Sequence, residues 1–348
     1  MSPADDVPHR PDPALTGGVV RPWDRLRIPR PPADPSVLTC RPVRRPVRRD
    51  VAVADPVSGA GGTVAVWSCP ATAPVDPRFP DVVLVHGFRG DRHGLALVAD
   101  CLPEHAVHAV ELPGFGASPA FPDAEHTVDH HAAALRAAVA GLDLPAPPVV
   151  LAHSYGTVVA SHAVAAGMPA AALVLLNPIA EPALDASGSL GARALAMVAR
   201  GYYGAAARLP ERAARAVLGA PPVVWATTVA MSETRDRMVL GFTHDQHRRH
   251  FSSFASAGVL AEAYRASSSG TVLQAAPGLR LPVLLVAGAQ DPMGSPAAQR
   301  ALAKAVRAAG GTVELHLLEG VGHLLHYERP VRCAALVRAW LAGLARAA

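Results

Sequence analysis

Short apolar runs alternate with helical segments along most of this 348-residue chain, and this alternation constrains its fold more than any other feature. Runs such as DVVLVHG from residue 81 and PVVLAHS from residue 148 carry no polar break until their ends. Such runs are typical of strands that are buried on both faces. Because short connections join each strand to a helix, the pattern predicts a mostly parallel, doubly wound α/β sheet.

The alternation stops after Pro178. From residue 179 to residue 277 the chain is rich in Ala and Arg, has helical spacing and contains no comparable strand-like run. Strand and helix alternate again from LPVLLVAGAQD at residue 281 onward. We therefore expect residues 46–178 and 278–348 to build one core, interrupted by an α-helical block at 179–277.

Residues 1–45 are rich in Pro and Arg and lack apolar periodicity, so we expect an irregular segment that is dispensable for chemistry. Its basic stretch RPVRRPVRR can contact an acidic partner, although a solvated lead-in is the simpler interpretation. The first 50 residues hold ten Arg and six Asp, and the rest of the chain holds 22 basic and 22 acidic side chains. The body therefore carries no field suited to nucleic acid.

The cysteines, the N-terminus and the lengths of the apolar runs argue against several further classes of protein. Four cysteines are scattered without paired spacing, which argues against a disulfide framework or a zinc knuckle. The polar N-terminus lacks the apolar core of a signal peptide, and no apolar run reaches the roughly 20 residues of a membrane helix. We therefore expect a cytoplasmic protein without a membrane span.

The segment VVLAHSYGTVVASHA changes from a strand pattern to a helix pattern at Ser154. Ligands gather at the carboxyl ends of parallel strands, so this hydroxyl is well placed for chemistry. A sharp turn needs small residues two positions before and after it, and Ala152 and Gly156 meet that need. The free N–H groups of the next helix favour a developing negative charge. Ser154 is therefore either a nucleophile or an ordinary helix N-cap.

A serine nucleophile needs a base, and the base needs an acid that orients it. VLLVAGAQDP places Asp291 just after a strand, and LLEGVGHLLHYERP places His323 in the loop after the last strand. The chain order Ser154, Asp291, His323 fits one hydrolase architecture. In LVHGFRGD the glycines let the Phe88 N–H point into the site as an oxyanion donor, and the Tyr155 N–H is the natural second donor.

At this point the chain resembles the α/β-hydrolase superfamily. Five motifs in the family's order carry the resemblance: HGFRG, ELPGFGAS, AHSYG, GAQDP and GVGHLLHYERP. They cover residues 82–178 and 278–346, and they depart from the common pattern at Ala152, where most members have Gly. The resemblance implies an α/β-hydrolase fold in which the inserted helical block is a cap domain over the nucleophile.

The resemblance implies a serine hydrolase that cleaves a small acyl compound, most simply a carboxylic ester, without cofactor or metal. Hydrolysis of a carbon–carbon bond in a vinylogous diketone stays open, as does ligand binding without turnover. A Ser nucleophile argues against haloalkane dehalogenase and epoxide hydrolase, which use Asp at this position. Apolar cap residues are expected to line the acyl pocket, although for any single one of them packing between cap helices is the simpler interpretation: Met197, Tyr202, Tyr203, Trp225 and Phe242.

Other carboxylates compete for a role in the site. Glu111 lies in the ELPGFGAS loop, which is structural in the resembled family, and Asp185 has no strand end before it. Glu319 and Glu328 flank the candidate base and can orient it. The family pattern favours Asp291, and Glu328 is expected to brace the last helix.

Basic side chains offer further candidates. His86 is expected to hold the oxyanion loop by hydrogen bonds. HDQHRRH spaces His244, His247 and His250 three residues apart, which allows metal binding. Without a carboxylate or Cys partner, a solvated or packing helix is the simpler interpretation. Arg89, beside the oxyanion loop, can grip a substrate carboxylate or point to solvent, and solvent is the simpler expectation.

Overall fold

The structure, a computed structural model, describes residues 29–73, 80–182 and 190–347. The strands are β1 (Val47–Ala54), β2 (Gly61–Cys69), β3 (Val82–Val85), β4 (Val107–Val110), β5 (Val149–His153), β6 (Ala172–Leu176), β7 (Pro282–Gly288) and β8 (Thr312–Leu318). The helices are α1 (Ala96–Asp100), α2 (Val128–Ala140), α3 (Tyr155–Ala165), α4 (Leu190–Ala206), α5 (Glu211–Leu218), α6 (Pro221–Met231), α7 (Arg237–His250), α8 (Ala257–Ser269), α9 (Val272–Ala275), α10 (Pro296–Ala308), α11 (Leu325–Glu328) and α12 (Pro330–Ala347).

The eight strands form one sheet in the order β1-β2-β4-β3-β5-β6-β7-β8. β2 pairs antiparallel with both β1 and β4, and the other neighbouring strands pair in parallel. The winding reverses between β4 and β5, so the crossover helices lie on both faces of the sheet. The prediction of a mostly parallel, doubly wound sheet is confirmed.

The apolar core lies on both faces of the sheet because successive side chains of a strand point in opposite directions. In β5, Val150 and Ala152 join an apolar cluster with residues of α2 and α3. Val149 and Leu151 join a second cluster with residues of α1 and α12. All of β5 is buried, as its unbroken apolar run predicts. The residue that follows β5 is therefore held at the centre of the sheet edge.

Helices α4 to α9 occupy the region between β6 and β7, where the sequence predicts a helical block. The described part of this block contains no strand and is joined to the loop after β4. The Gly116 N–H donates to Ser253 O at 2.8 Å, and the Ala255 N–H donates to Gly114 O at 2.8 Å. Both glycines have positive φ, a conformation that favours Gly, so the ELPGFGAS turn helps to seat the block on the core.

The N-terminal segment differs from the detached lead-in that the sequence suggests. Residues 29–46 contain one 3₁₀ turn, Pro35–Leu38, and otherwise lack regular structure, yet they pack on the body. Leu38 joins an apolar cluster with residues of α1, α7 and α11. Arg44, in the basic stretch, donates to Pro70 O at 2.9 Å and to His105 O at 2.8 Å. We therefore expect the described part of this segment to support the fold, whereas its dispensability for chemistry stays a prediction.

Leu38→Ala is expected to lower the free energy of unfolding by about 2–3 kcal/mol, because it leaves a cavity in that cluster. Val37 is 46% exposed, so the matched control Val37→Ala should change stability little. Urea unfolding followed by tryptophan fluorescence measures both variants. Equal effects of the two substitutions would contradict the packing role of this segment.

The four cysteines are free, as their scattered spacing predicts. Burial raises the pKa of the Cys101 thiol to about 12, and burial also raises the pKa of Cys333. Neither residue therefore supplies a thiolate near neutral pH. In the described ranges, no helix combines the length and apolar character that a bilayer crossing requires.

Candidate active site

Ser154 lies between β5 and α3 and does not cap the helix with its side chain. Its backbone adopts φ 53° and ψ −125°, a conformation that residues other than Gly rarely take. The hydroxyl makes no capping hydrogen bond to α3. Oγ lies instead 2.8 Å from Nε2 of His323. This geometry disfavours the simple N-cap interpretation.

Close packing holds the strained turn at Ser154. A Cβ on Gly156 would collide with the His86 carbonyl oxygen, so only Gly fits beneath the turn. Ala152 is fully buried on the strand side, and the Ser154 N–H donates to Leu176 O at 3.1 Å. Such a backbone conformation is unfavourable by roughly 1–3 kcal/mol and persists only where its surroundings enforce it. Close packing therefore explains why small residues stand two positions before and two positions after Ser154.

His323 connects Ser154 to Asp291 through hydrogen bonds. Asp291 follows β7 and His323 follows β8, so both lie at the carboxyl edge of the sheet. Nδ1 of His323 lies 2.9 Å from Oδ2 and 3.0 Å from Oδ1 of Asp291. A carboxylate only accepts hydrogen bonds, so Nδ1 carries the proton and Nε2 can accept the serine proton. The His323 and Asp291 side chains are 3% and 1% exposed, which shields these interactions from water.

Asn177 anchors the loop that carries His323, a role that the sequence analysis missed. It directly follows β6, has φ 47° and is fully buried. Its Nδ2 donates to His323 O at 2.6 Å and to Gly322 O at 3.0 Å, and its Oδ1 accepts the Gly288 N–H at 2.7 Å. The His323 N–H donates to Met231 O at 2.9 Å, at the end of α6. The His323 backbone is thus tied to β6, β7 and the helical block.

Two buried histidines pack beside His323 and remain neutral. His153 donates from Nε2 to His323 O at 3.0 Å, and the ring centroids of His153 and His326 are 4.0 Å apart. Burial, together with the neighbouring His323, lowers the pKa of His153 to about 3. Burial and both neighbours lower the pKa of His326 well below its usual range. Neither imidazole therefore carries a charge near neutral pH.

The Phe88 and Tyr155 amides are available as hydrogen-bond donors beside Ser154. Within the described chain neither N–H has a hydrogen-bond partner, and Tyr155 is the first residue of α3. Gly87 packs so closely on the turn that an added Cβ would lie 3.1 Å from Cβ of Ser154. The N-terminal end of α3 also favours negative charge at this point.

Hydrogen bonds from His86 and Glu111 hold the two loops around this turn. His86 donates from Nδ1 to Gly87 O at 2.8 Å and accepts the Leu112 N–H at Nε2 at 3.0 Å, so it holds the loop after β3 by hydrogen bonds, as expected. Burial lowers the pKa of His86, in agreement with a neutral ring that donates once and accepts once. Glu111 accepts the Ala117 N–H at 2.7 Å, which fits the structural role expected of its loop.

Among the rival acids that the structure describes, none hydrogen-bonds to the imidazole of the candidate base. Glu328 is buried and accepts the N–H groups of Gly322 and Glu233, both at 3.2 Å. It therefore braces the loop that carries the imidazole rather than the last helix. Glu319 is exposed. Asp185 lies outside the described residues.

The three histidines of HDQHRRH do not converge. Nδ1 of His247 lies 2.8 Å from the Thr228 hydroxyl, whereas Nδ1 of His250 lies 3.3 Å from Oδ2 of Asp91. Among the described residues, Asp91, His93 and His250 form the group whose potential metal-ligand atoms lie within 4.8 Å of one another. The rings of His93 and His250 stack, with centroids 3.7 Å apart. An imidazole binds a metal in its own plane, so stacked rings suit hydrogen bonds to Asp91 better than a shared ion.

A cavity of about 660 Å³ opens beside Ser154 and His323. Its walls are predominantly apolar and come from the core loops and the helical block. Tyr202 and Tyr203 line it, as the sequence predicts. The other three residues expected there do not line it: Met197, Trp225 and Phe242.

A model of a protein family described as "Alpha/beta hydrolase family" matches residues 82–336. The chain belongs to the alpha/beta hydrolase family. The resemblance indicated by the five sequence motifs is therefore confirmed, as is the expected fold class, and the protein is a hydrolase.

Solved structures of family members share the fold at low sequence identity. An esterase from Thermogutta terrifontis superposes with a TM-score of 0.64 at 21% identity, over 85% of this chain and 98% of that chain. The esterase RhEst1 from Rhodococcus superposes with a TM-score of 0.60 at 20% identity, over 85% of this chain and 98% of that chain. An enol-lactonase from Burkholderia xenovorans superposes with a TM-score of 0.60 at 18% identity, over 80% of this chain and 97% of that chain. A search of curated proteins found no match to the sequence.

Proposed function

We propose that this hydrolase cleaves a small carboxylic ester through an acyl-enzyme formed on Ser154. The observation that carries the proposal is the unbroken hydrogen-bond chain from Oγ of Ser154 through His323 to Asp291, with steps of 2.8 Å and 2.9 Å. Nucleophile, base and orienting acid stand in the order that a Ser-His-Asp triad requires. The Thermogutta and Rhodococcus neighbours are esterases, which agrees with this substrate class.

The proposed reaction has two stages. His323 accepts the Ser154 proton at Nε2 while Oγ attacks the ester carbonyl, and Asp291 stabilises the imidazolium that forms. His323 then gives this proton to the departing alcohol, which leaves the acyl group on Ser154. In the second stage His323 takes a proton from water, the hydroxide attacks the acyl group, and Ser154 recovers its proton as the acid departs.

The proposed oxyanion hole consists of the Phe88 and Tyr155 amides. Their N–H groups have no other hydrogen-bond partner within the described chain. Tyr155 directly follows Ser154, and Gly87, which precedes Phe88, packs closely on the Ser154 turn. Donors fixed in advance stabilise the tetrahedral intermediate, with each donor contributing roughly 3–4 kcal/mol in comparable sites.

We further propose that residues 179–277 form a cap domain on a core built from residues 46–178 and 278–348. The cavity beside Ser154 takes wall residues from α4, α6, α7 and α8 of this block. Its predominantly apolar surface suits an apolar acyl or alcohol group. Tyr202 and Tyr203 supply aromatic wall area on the side of α4.

Two assays test the proposed function together. A fluorophosphonate probe should label the wild-type protein at Ser154, because only an activated serine reacts quickly. A panel of p-nitrophenyl esters of graded acyl length should then give a clear optimum, set by the size of the cavity. Absence of both labelling and hydrolysis would contradict the proposal and favour ligand binding without turnover. Labelling without hydrolysis of any ester would favour the carbon–carbon bond alternative, tested with a vinylogous diketone.

A further inference from the structure

Arg89 is 2% exposed and binds the C-terminal ends of two cap helices. Its Nε donates to Phe251 O at 2.8 Å, and its Nη2 donates to Leu218 O at 3.0 Å. Leu218 ends α5 and Phe251 is the C-cap of α7. Carbonyl groups at a helix C-terminus lack partners within the helix and carry partial negative charge, so a guanidinium stabilises them. Arg89 thus joins the loop after β3 to two helices of the cap.

Aromatic rings surround the rest of the guanidinium. Its carbon lies 4.2 Å from the ring centroid of Phe251 and 5.7 Å from that of Phe254. Nη1 donates to the Tyr203 hydroxyl at 3.4 Å. The expectation that Arg89 points to solvent is therefore wrong. Because its N–H groups already donate to groups of the protein, Arg89 is also less able to bind a substrate carboxylate than the sequence suggested.

The backbone of Arg89 is continuous with the proposed oxyanion donor, the Phe88 N–H. Arg89 has φ 59°, so surrounding contacts rather than its own conformational preference hold this backbone. The Phe88 ring also contacts the cap, edge to face, with centroids 5.5 Å from Tyr203 and 5.7 Å from Tyr264. A displacement of the cap helices would therefore move the peptide group that presents the Phe88 amide.

We infer that Arg89 is a positioning residue for the proposed reaction: by holding the ends of α5 and α7 it fixes the loop that presents the Phe88 N–H to the oxyanion. This inference rests on the proposed function. It makes the docking of the cap a requirement for transition-state stabilisation and not only for substrate binding. Loss of Arg89 should accordingly lower kcat more than it raises KM.

Arg215 offers a matched control inside the cap. It lies on α5, donates to Phe254 O at 3.1 Å and also to Ala255 O, and its guanidinium carbon lies 5.1 Å from the Phe254 ring centroid. Arg215 thus shares with Arg89 the contacts to two backbone carbonyls and an aromatic face, although it is more exposed and also pairs with Glu211, Nε to Oε1 at 2.7 Å. The contacts of Arg215 join parts of the cap to one another, whereas those of Arg89 join the cap to the loop beside Ser154.

The experiment compares Arg89→Met, Arg89→Lys and Arg215→Met in the full chain. Arg89→Met should lower kcat for the best ester by about 10- to 100-fold with a change in KM of less than about 3-fold, since a displaced donor acts mainly in the transition state. Arg89→Lys keeps the charge and can reach one carbonyl, so it should recover part of this loss. Arg215→Met should leave kcat within about 3-fold of wild type. Thermal unfolding of all three variants separates kinetic from stability effects.

Two results would overturn the inference: equal kcat values for Arg89→Met and Arg215→Met, or a loss in Arg89→Met that appears only in KM. Arg89→Lys provides the same comparison if the Met variant does not fold.

The rate of fluorophosphonate labelling is a second readout, because the phosphonyl oxygen needs the same donors. If the wild type is labelled but cleaves no ester, the ester proposal fails on its own. Slow labelling of Arg89→Met would then still support the positioning role, and labelling at the wild-type rate would refute it.

Discussion

Replacing Ser154 by Ala is expected to lower the turnover of a small ester by about 10⁴-fold or more while the protein remains folded. The substitution removes Oγ, which lies 2.8 Å from Nε2 of His323 and is the atom that forms the acyl-enzyme in the proposed mechanism. The oxyanion donors and the cavity remain, so substrate binding should persist. Steady-state kinetics on the preferred p-nitrophenyl ester, with labelling by the fluorophosphonate probe, measure the loss.

Ser161→Ala is the matched control for this change. Ser161 lies on the same helix, α3, is fully buried, and its Oγ makes no hydrogen bond within the described structure. Removing an unpaired buried hydroxyl should leave turnover within about 2-fold and stability unchanged or higher. Near-normal activity in Ser154→Ala, or an equal loss in Ser161→Ala, would rule out Ser154 as the nucleophile.

The sequence predicted most of the sheet because its central strands are buried on both faces. The unbroken apolar runs of β3, β5 and β6 can be read directly as strands, and the helices between them imply parallel pairing. The place of β4 between β2 and β3 depends on contacts between distant residues and leaves no local pattern.

The sequence also placed the candidate triad, because Ser154, Asp291 and His323 each follow a strand that is easy to recognise. It did not reveal what holds them. Asn177 resembles an ordinary turn residue at a strand end, and only the structure shows its bonds to Gly322 and to the His323 backbone.

The burial of Arg89 could not be predicted from the sequence for a related reason. Its partners Leu218 and Phe251 lie 129 and 162 residues further along the chain. A charged side chain in a loop gives no sign of such partners, so solvent exposure was the natural expectation. Leu38 was missed because one apolar residue in a Pro-rich segment has no periodicity, although it packs in a cluster with α7.

Four buried histidines should make the protein unstable in mild acid. Burial, with smaller contributions from neighbouring charged groups, lowers the pKa of His131, His153 and His247 to about 3 each, and lowers the pKa of His326 well below its usual range. In the unfolded chain a histidine has a pKa of about 6.5. Below that value the unfolded state binds more protons than the folded state, so folding stability falls as the pH decreases.

Between pH 6.5 and pH 5 His131, His153 and His247 should each remove about 2 kcal/mol of stability, and His326 should act in the same direction. Asp100 acts in the opposite direction, because burial raises its pKa to about 6 and its folded form takes up a proton in the same range. Burial also raises the pKa of Glu328, which adds to this opposing effect. The net effect should still be a loss of stability between pH 6.5 and pH 5.

Chemical unfolding at a series of pH values from 5 to 8 measures this loss. His247→Asn should reduce it, because the amide can keep the hydrogen bond to the Thr228 hydroxyl, made at 2.8 Å by Nδ1, without a group that titrates. The slope of stability against pH near pH 5 should then fall by about 1.4 kcal/mol per pH unit, the effect of one proton. If wild-type stability is constant from pH 5 to 7, the buried histidines are not held neutral by the fold, and the neutrality of His153 beside His323 must be reconsidered as well.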